Sequence, residues 1–273
     1  MVRAHARRRD SGGETAVPIV MYHRLFADAA ELVGWAKGVT RHWLPVHEFE
    51  RQIRALAEQG YRAIPLATLL PGSRPIEVRR PIVITFDDGW ASDYHRARPL
   101  LDELGWPSEH FVTVDWIGTD GFVSWGDLEE IARRGSGVHS HCLTHRDLDR
   151  LPVSEMRHEL EASKARLEDR LGRRVEFLAL PGGTGAGRSV RKAARELGYR
   201  GICTSKVGLN ARGADPYALR RIPVTRHTAR ANLLAWVGGR ALDRLALTQE
   251  TLRLTRALVP RPLYGYLRDL VLR

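Results

Sequence analysis

Short apolar runs alternate with amphipathic helical segments along most of this chain. The clearest apolar run is residues 81–89, PIVITFDDG, whose β-branched residues predict a strand that is buried on both faces. Helical periodicity is clearest at 46–60 and 154–171, where apolar residues recur on one face and a glycine follows. This alternation favours a parallel α/β architecture, because crossover helices return the chain to the same edge of the sheet.

About seven strands are predicted, and they either close into a (β/α) barrel or form an open doubly wound sheet. Periodicity alone does not choose between these two arrangements. Eight segments are candidates for these strands: 17–22, 61–65, 81–88, 110–114, near 138, 175–180, 201–204 and 219–224. Three domains follow from the pattern: a disordered basic tail at 1–15, an α/β domain at 16–228, and a helical extension at 229–273 that is interrupted near Pro260.

Composition narrows the choice of partners. The net charge is +11, but the arginines are scattered, and no basic block interleaved with aromatics predicts nucleic-acid binding. No apolar run approaches the roughly 20 residues of a spanning helix, so we expect no transmembrane segment, while peripheral contact with a membrane stays open. The two cysteines, Cys142 and Cys203, are too few for a disulfide framework and favour a reducing, cytoplasmic setting.

Asp87 and Asp88 end the strand predicted at 81–88. Two adjacent carboxylates at the end of a buried strand are costly unless a metal or a shared proton compensates them. In parallel α/β folds, chemistry occurs at the carboxyl ends of the strands. Neighbouring strand residues point to opposite sides, so we expect the two aspartates to have different roles. A surface Asp-Asp-Gly turn is the alternative.

The second candidate cluster is His139, His141 and His145 in the segment VHSHCLTH. Imidazoles four residues apart face the same side of a helical turn, and this spacing suits one divalent metal ion. Surface histidines produce the same spacing without any metal. A strand-end aspartate pair on the same predicted rim favours the metal, because two histidines and one carboxylate leave positions open for water and substrate.

The motifs TFDDG at 85–89 and HCLTH at 141–145 together resemble the NodB-homology polysaccharide deacetylases, carbohydrate esterase family four. The segments MYHR at 21–24, FERQIR from Phe49 and RIPV from Arg221 resemble the branch of poly-N-acetylglucosamine deacetylases. The resemblance covers about residues 17–224 and implies a distorted (β/α) barrel. With the helical C-terminal region, we predict an α/β fold with about seven parallel strands and a C-terminal helical annex.

The resemblance also implies site residues and an activity. It assigns the general base to Asp87, a divalent metal ion (zinc being the expected one) to Asp88, His141 and His145, and substrate binding to Pro181, Gly182 and Gly183. The implied reaction is metal-dependent hydrolysis of an N-acetyl group on an amino sugar in a glycan or glycoconjugate. The implied partner is therefore a carbohydrate.

Several positions depart from the family pattern. Ala179 occupies the place of an arginine that orients the base, and only Asp215 lies in the region of the fourth motif. The histidine of the fifth motif, which acts as general acid, is missing in its usual form. We favour His23, at the end of the first strand, over His227, after the last strand, as the substitute. A histidine that only holds a loop is the alternative for His23.

Two more residues and two other functions remain open. His139 is interpreted as structural or as a neighbour of the metal ligands. Cys142, which replaces a family Ser or Thr, is interpreted as a small buried thiol.

A deformylase or amidase acting on a small or lipid-linked sugar would share the same metal site. A non-catalytic glycan-binding barrel would explain the missing arginine and histidine.

Overall fold

The computed structural model describes residues 16–35, 37–182 and 186–258. The predicted basic tail at 1–15, the proposed substrate-binding residue Gly183 and the interruption near Pro260 lie outside these ranges.

Seven parallel strands close into a barrel. The barrel strands are β1 (Ile19–Tyr22), β5 (Pro81–Asp88), β6 (Glu109–Val112), β7 (Gly137–Ser140), β8 (Phe177–Ala179), β9 (Gly201–Val207) and β10 (Leu219–Pro223). Three short strands lie outside it: β2 (Leu25–Phe26), β3 (Leu44–Pro45) and β4 (Arg62–Ala63). Closure occurs because β1 pairs with β5 on one side and with β10 on the other. The remaining barrel strands follow in the order β5 to β10, while β4 extends the edge of β5 and β2 pairs only with β3.

Helices connect the strands and cover the barrel. They are α1 (Lys37–Thr40), α2 (Val46–Glu58), α3 (Ala91–His95), α4 (Arg98–Leu104), α5 (Trp125–Arg133), α6 (Val153–Leu171), α7 (Arg188–Glu196), α8 (Arg230–Val237) and α9 (Leu242–Leu258). The helix boundaries follow local signals: Ser124 forms a capping box with Asp127, and Gly105 and Gly172 end α4 and α6 in the left-handed conformation. The short helices α1 and α3 were not predicted.

The core has an inner and an outer part. Alternate strand residues such as Val83, Phe111 and Phe177 pack together inside the barrel. The opposite faces pack against helices, and Leu233 and Val237 of α8 join the cluster of α2 on the outside. The described part of the chain has no helix that is both long and apolar enough to cross a membrane.

The predicted barrel of about seven parallel strands is confirmed. The second predicted strand, at 61–65, is reduced to two residues, because only Arg62 and Ala63 pair with β5. The strands are parallel, so their carboxyl ends meet at one rim. The register pairs Tyr22 with Phe86, which sets His23 level with Asp87 on the adjacent strand.

Candidate active site and metal centre

Asp88, His141 and His145 converge at the carboxyl-end rim of the barrel. Asp88 Oδ1 lies 3.5 Å from His141 Nε2 and 3.3 Å from His145 Nε2. One potential ligand atom from each residue lies within 4.8 Å of the other two. One carboxylate oxygen and two imidazole nitrogens at this spacing match the donor set of a catalytic divalent metal site.

The two histidines are not on a helical turn, so that prediction is wrong. His141 directly follows β7, and His145 lies on an irregular loop in which Cys142 and His145 have φ values of 67° and 64°. An α-helix of L-residues cannot contain these left-handed conformations. His141 instead faces the barrel because it continues the inward alternation of β7, and the loop then folds back to bring His145 beside it.

The backbone at the aspartate pair is equally unusual. Asp88 has φ 80° and Gly89 has φ 88°. A Cβ atom on Gly89 would lie 3.0 Å from Val112 Cγ1, so this position requires glycine for space as well as for conformation. Left-handed non-glycine residues each cost about 1–3 kcal/mol and cluster at functional sites.

Hydrogen bonds with neighbouring groups orient two of the three potential ligands. His141 Nδ1 donates to the carbonyl oxygen of Ala179 at 2.9 Å, and this bond directs Nε2 toward Asp88. Trp90 Nε1 donates to Asp88 Oδ2 at 3.1 Å. Burial alone would raise the pKa of Asp88, but hydrogen bonds from His141 and His145 hold it well below its usual range. Burial lowers the pKa of His141, and the bond to Asp88 more than offsets this, so the pKa is raised.

Two contacts fix the loop that carries His145. The buried carboxylate of Glu159, on α6, accepts hydrogen bonds from the backbone N–H groups of Leu143 and Thr144 at 2.9 Å, and also from the Thr144 hydroxyl. The ring of Trp116 stacks on His145 with centroids 4.9 Å apart. The loop is therefore held by a helix of the outer layer and by an aromatic side chain.

Asp87 has a different environment from its neighbour. Its two carboxylate oxygens accept hydrogen bonds of 2.6 and 2.7 Å from both terminal nitrogens of Arg221, and both side chains are buried. Burial would raise the pKa of Asp87, but the Arg221 charge lowers it overall. Arg221 on β10 therefore orients Asp87, the predicted base. Ala179, which occupies the place of the family's orienting arginine, has no side chain that could do this.

His23 lies at the same rim and is half-buried. Its Nδ1 atom is buried without a hydrogen-bond partner, and its ring centroid is 4.9 Å from that of His42. Burial lowers the pKa of His23, while the negative charges of Asp88 and Asp87 oppose that change. His23 is thus electrostatically coupled to both aspartates.

The other predicted residues lie apart from this cluster. His227 is exposed in the loop after β10, and Asp215 caps a surface turn and pairs with Arg191 at 2.7 Å. His139 pairs with Glu109 at 2.8 Å inside the barrel. Pro181 and Gly182 follow β8, just beyond the carbonyl that binds His141, and Gly183 is outside the described residues. Cys142 is buried, and burial raises the pKa of its thiol well above the usual value.

Sequence reasoning missed three site residues: Arg221, Trp90 and Glu159. Arg221 carried one usable signal, because a charged residue within the apolar strand LRRIP needs a buried partner. Trp90 directly follows the TFDDG motif, yet nothing in its type specifies a bond to Asp88. Glu159 carried no signal, since it occupies one position in a helix rich in charged residues.

Comparisons with known proteins agree with the fold and the motifs. Residues 77–202 match the family model described as polysaccharide deacetylase. YxkH from Bacillus subtilis (strain 168), assigned to the polysaccharide deacetylases, is 26% identical over 213 residues, or 77% of this chain and 71% of that protein. A stretch of 100 residues is 28% identical to poly-β-1,6-N-acetyl-D-glucosamine N-deacetylase of Escherichia coli (strain K12), covering 30% of this chain and 15% of that protein.

Two solved structures show the same fold. The Streptococcus pyogenes deacetylase PplD, solved in complex with acetate, superimposes with a TM-score of 0.72 at 21% identity and covers 82% of this chain and 99% of that one. IcaB from Ammonifex degensii superimposes with a TM-score of 0.69 at 23% identity, covering 82% and 97%. The resemblance drawn from the sequence motifs is therefore confirmed.

Proposed function

This chain contains a domain of the NodB-homology polysaccharide deacetylase family, and we propose that it is a metal-dependent hydrolase that removes N-acetyl groups from an amino sugar in a glycan or glycoconjugate. The observation that carries the proposal is that a potential metal site and an ionised carboxylate lie side by side at one rim of the barrel. Asp88, His141 and His145 form a three-donor cluster, and the neighbouring Asp87 is held ionised by Arg221.

The donor atoms present fit a divalent metal ion. Asp88 Oδ1 and the Nε2 atoms of His141 and His145 would hold it, and two imidazoles with one carboxylate are a ligand set that catalytic zinc sites use. The His141–Ala179 bond fixes the tautomer in which Nε2 is free to bind. When bound, such an ion polarises an amide carbonyl and lowers the pKa of water.

Asp87 is the proposed general base. Its lowered pKa keeps the carboxylate ionised at neutral pH, so it can accept a proton from the attacking water. The bidentate bond to Arg221 fixes the plane of the carboxylate and restricts the direction in which the proton can be received. Asp88 is committed to the histidines and Trp90, so the adjacent aspartates do not compete for one task.

His23 is the proposed general acid. The departing amine needs a proton when the tetrahedral intermediate collapses, and His23 lies level with Asp87 on the adjacent strand. Its Nδ1 has no protein partner, so it has unused hydrogen-bonding capacity at the rim.

The position of Arg221 helps to choose between an enzyme and a non-catalytic glycan-binding barrel. The missing arginine had supported a non-catalytic glycan-binding barrel, and Arg221 fills that role from another strand, which favours the enzyme. A deformylase or amidase would use the same residues. Cys142 and Cys203, both buried as free thiols, support the proposed cytoplasmic location.

Metal analysis combined with acetate release tests the function. Purified protein should hold about one divalent ion per chain and release acetate from one or more members of a panel of N-acetylated oligosaccharides and sugar nucleotides. His141→Ala and His145→Ala should each lose the metal, whereas the exposed His227→Ala should keep it. Release of formate from N-formyl sugars, without acetate release, would assign the deformylase. Full metal occupancy in both ligand variants would show that the site is misassigned.

A further inference from the structure

A cavity of about 320 Å³ lies at the face of the barrel opposite the candidate active site. Its walls come from the segment 68–81, from the residue that precedes β1 by two positions, and from the loop between β9 and β10. Val17 and Pro81 of this lining lie at the amino-terminal ends of strands, whereas the three potential metal ligands lie at carboxyl ends. The cavity is therefore separate from the site already described.

Aliphatic side chains make up most of the cavity wall. They belong to the core cluster inside the barrel or pack against it, and they are Val17, Leu69, Leu70, Ile76 and Val78. Among the described residues that line the cavity, the neutral polar side chains are those of Thr68 and Ser73. The cavity therefore suits a hydrocarbon chain rather than a sugar, whose hydroxyl groups would be buried here without enough partners.

Two guanidinium groups give this cavity its charge. Arg74 and Arg212 line it from different loops, and both are exposed. Neither side chain makes a hydrogen bond or an ion pair with another of the described residues, and no acidic residue among them lines the cavity. The positive charge is therefore not neutralised by the protein. A carboxylate complements it, because a guanidinium donates two parallel hydrogen bonds to the two oxygens of such a group.

Hydrogen bonds hold both walls of the cavity in place. Leu66, just before the segment 68–81, donates its backbone N–H to the buried carboxylate of Glu109 at 2.6 Å. On the other side, Val17 and Asn210 exchange backbone hydrogen bonds of 2.8 and 3.0 Å, and Asn210 Nδ2 donates to the carbonyl oxygen of Arg220 at 2.8 Å. The cavity is therefore already formed in the free protein, which lowers the cost of binding a ligand.

We propose that this cavity binds a free medium-chain fatty acid, with the hydrocarbon chain against the aliphatic wall and the carboxylate at Arg74 and Arg212. Its volume is near the lower limit of about 300 Å³ for small-molecule sites, so it accommodates one short chain rather than a phospholipid. Residues 1–15, which precede Val17, complement the cavity poorly, because their four arginines outnumber two acidic residues and repel its positive charge. This inference goes beyond the proposed deacetylation and does not rest on it.

Isothermal titration of the full chain with decanoate, kept below its micelle concentration, tests the proposal. Wild type should bind about one decanoate per chain, and added salt should weaken the binding. Octanoate should bind about tenfold more weakly, because two methylene groups fewer are buried. Decyltrimethylammonium, which has the same chain and the opposite charge, should not bind at the concentrations that saturate the site with decanoate.

Variants test the two parts of the cavity separately. Arg74→Gln with Arg212→Gln should weaken decanoate binding about tenfold or more, because the carboxylate loses both cations. The matched control, Arg79→Gln with Arg188→Gln, removes the same charge at two exposed positions outside the cavity and should bind like wild type. Ile76→Ser should weaken binding through the hydrocarbon chain. Thermal unfolding of every variant shows whether the fold is kept, and the ligand series on wild type needs no variant.

Several results would overturn the proposal. They are absence of decanoate binding by wild type, equal affinity in the double variant and its control, and equal affinity for decanoate and decyltrimethylammonium. Binding that appears only after residues 1–15 are removed would make that segment the occupant instead. Wild-type dimers that the double variant converts to monomers would make a second copy the occupant. Removing metal with a chelator should leave decanoate affinity unchanged, whereas loss of binding together with the metal would place the carboxylate at the metal centre. Acetate release, measured in parallel, reports on the proposed deacetylase function separately.

Discussion

Asp87 and Asp88 are neighbours in the chain with different partners. Arg221 binds both oxygens of Asp87, while Asp88 faces His141, His145 and Trp90. Asp87→Asn should therefore lower kcat by about 100-fold or more with the metal still bound, because the amide cannot accept the proton. Asp88→Asn should instead weaken metal binding. Metal content and kcat measured on both variants check this, and full activity in Asp87→Asn would refute the assignment of the base.

Arg221 is fully buried, so its removal should affect stability as well as activity. Arg221→Met leaves the Asp87 carboxylate buried and unpaired, which should lower the free energy of unfolding by about 3–5 kcal/mol. Adding Asp87→Asn should recover part of this loss. Urea unfolding measures both, with Arg220→Met, an exposed neighbour on the same strand, as the control.

The pH dependence of that pair has a defined sign. The folded pKa of Asp87 is lowered, so its stabilisation is present above the unfolded pKa of about 3.9 and is lost as pH falls through the folded value. In the double variant Asp87→Asn with Arg221→Met, the free energy of unfolding should fall less at low pH than it does in wild type. An unchanged acid profile would show that the pair does not contribute.

His23 should control the alkaline side of the activity profile. A general acid must be protonated, so the rate falls as pH rises through its pKa, and burial lowers that pKa below the ordinary histidine value. His23→Ala should lower kcat strongly, keep the metal and remove the alkaline limb, whereas His227→Ala should change little. The reverse pattern would assign the acid to the loop after β10 and leave His23 a structural residue.

At the scale of elements, helix α6 positions a loop of the site through one side chain. Glu159→Ala removes the acceptor for two backbone N–H groups and the Thr144 hydroxyl, so the loop that carries His145 should lose its order. We expect metal affinity to fall about 10–100-fold. Chelator competition measures this change, and the exposed Glu161→Ala on the same helix is the matched control. Equal affinity in both variants would mean that the Glu159 hydrogen bonds are not needed to hold the loop.

At the scale of the whole molecule, metal binding should stabilise the fold, because the three donors come from β5 and from the loop after β7. At metal concentrations about 100-fold above Kd, the gain is about 2.7 kcal/mol, which should raise Tm by roughly 5 °C or more. Scanning calorimetry with and without a chelator measures this shift. An unchanged Tm at saturating metal would contradict the site.

The same shift should shrink as pH falls. The pKa of His141 is raised in the folded, metal-free protein. The pairing of protonated His141 with Asp88 therefore stabilises the metal-free protein fully below the pKa of His141 in the unfolded chain, and this stabilisation is lost as pH rises through the pKa of His141 in the folded protein. A protonated His141 cannot bind metal. As pH falls, the difference in Tm between metal-bound and metal-free protein should therefore begin to shrink at a pH that is still above the ordinary histidine pKa.

Local patterns determined much of this protein by themselves. Apolar runs and helical periodicity predicted most strands and helices to within a few residues, as at β5 and α6, because the periodicity of burial depends on near neighbours. The aspartate pair was located for the same reason: two carboxylates after a buried strand are costly without a compensating partner. Motif spacing added the two histidines.

The tertiary structure alone decided the rest. Local patterns left barrel closure open, because it depends on β1 pairing with both β5 and β10, and only the family resemblance had implied it. Arg221 reaches Asp87 across 134 positions of the chain, and Glu159 supports the His145 loop from another element. Cys142 and His145 adopt left-handed conformations that their residue types disfavour. Contacts between residues distant in sequence stabilise each of these features, so the features exist only once the barrel has formed.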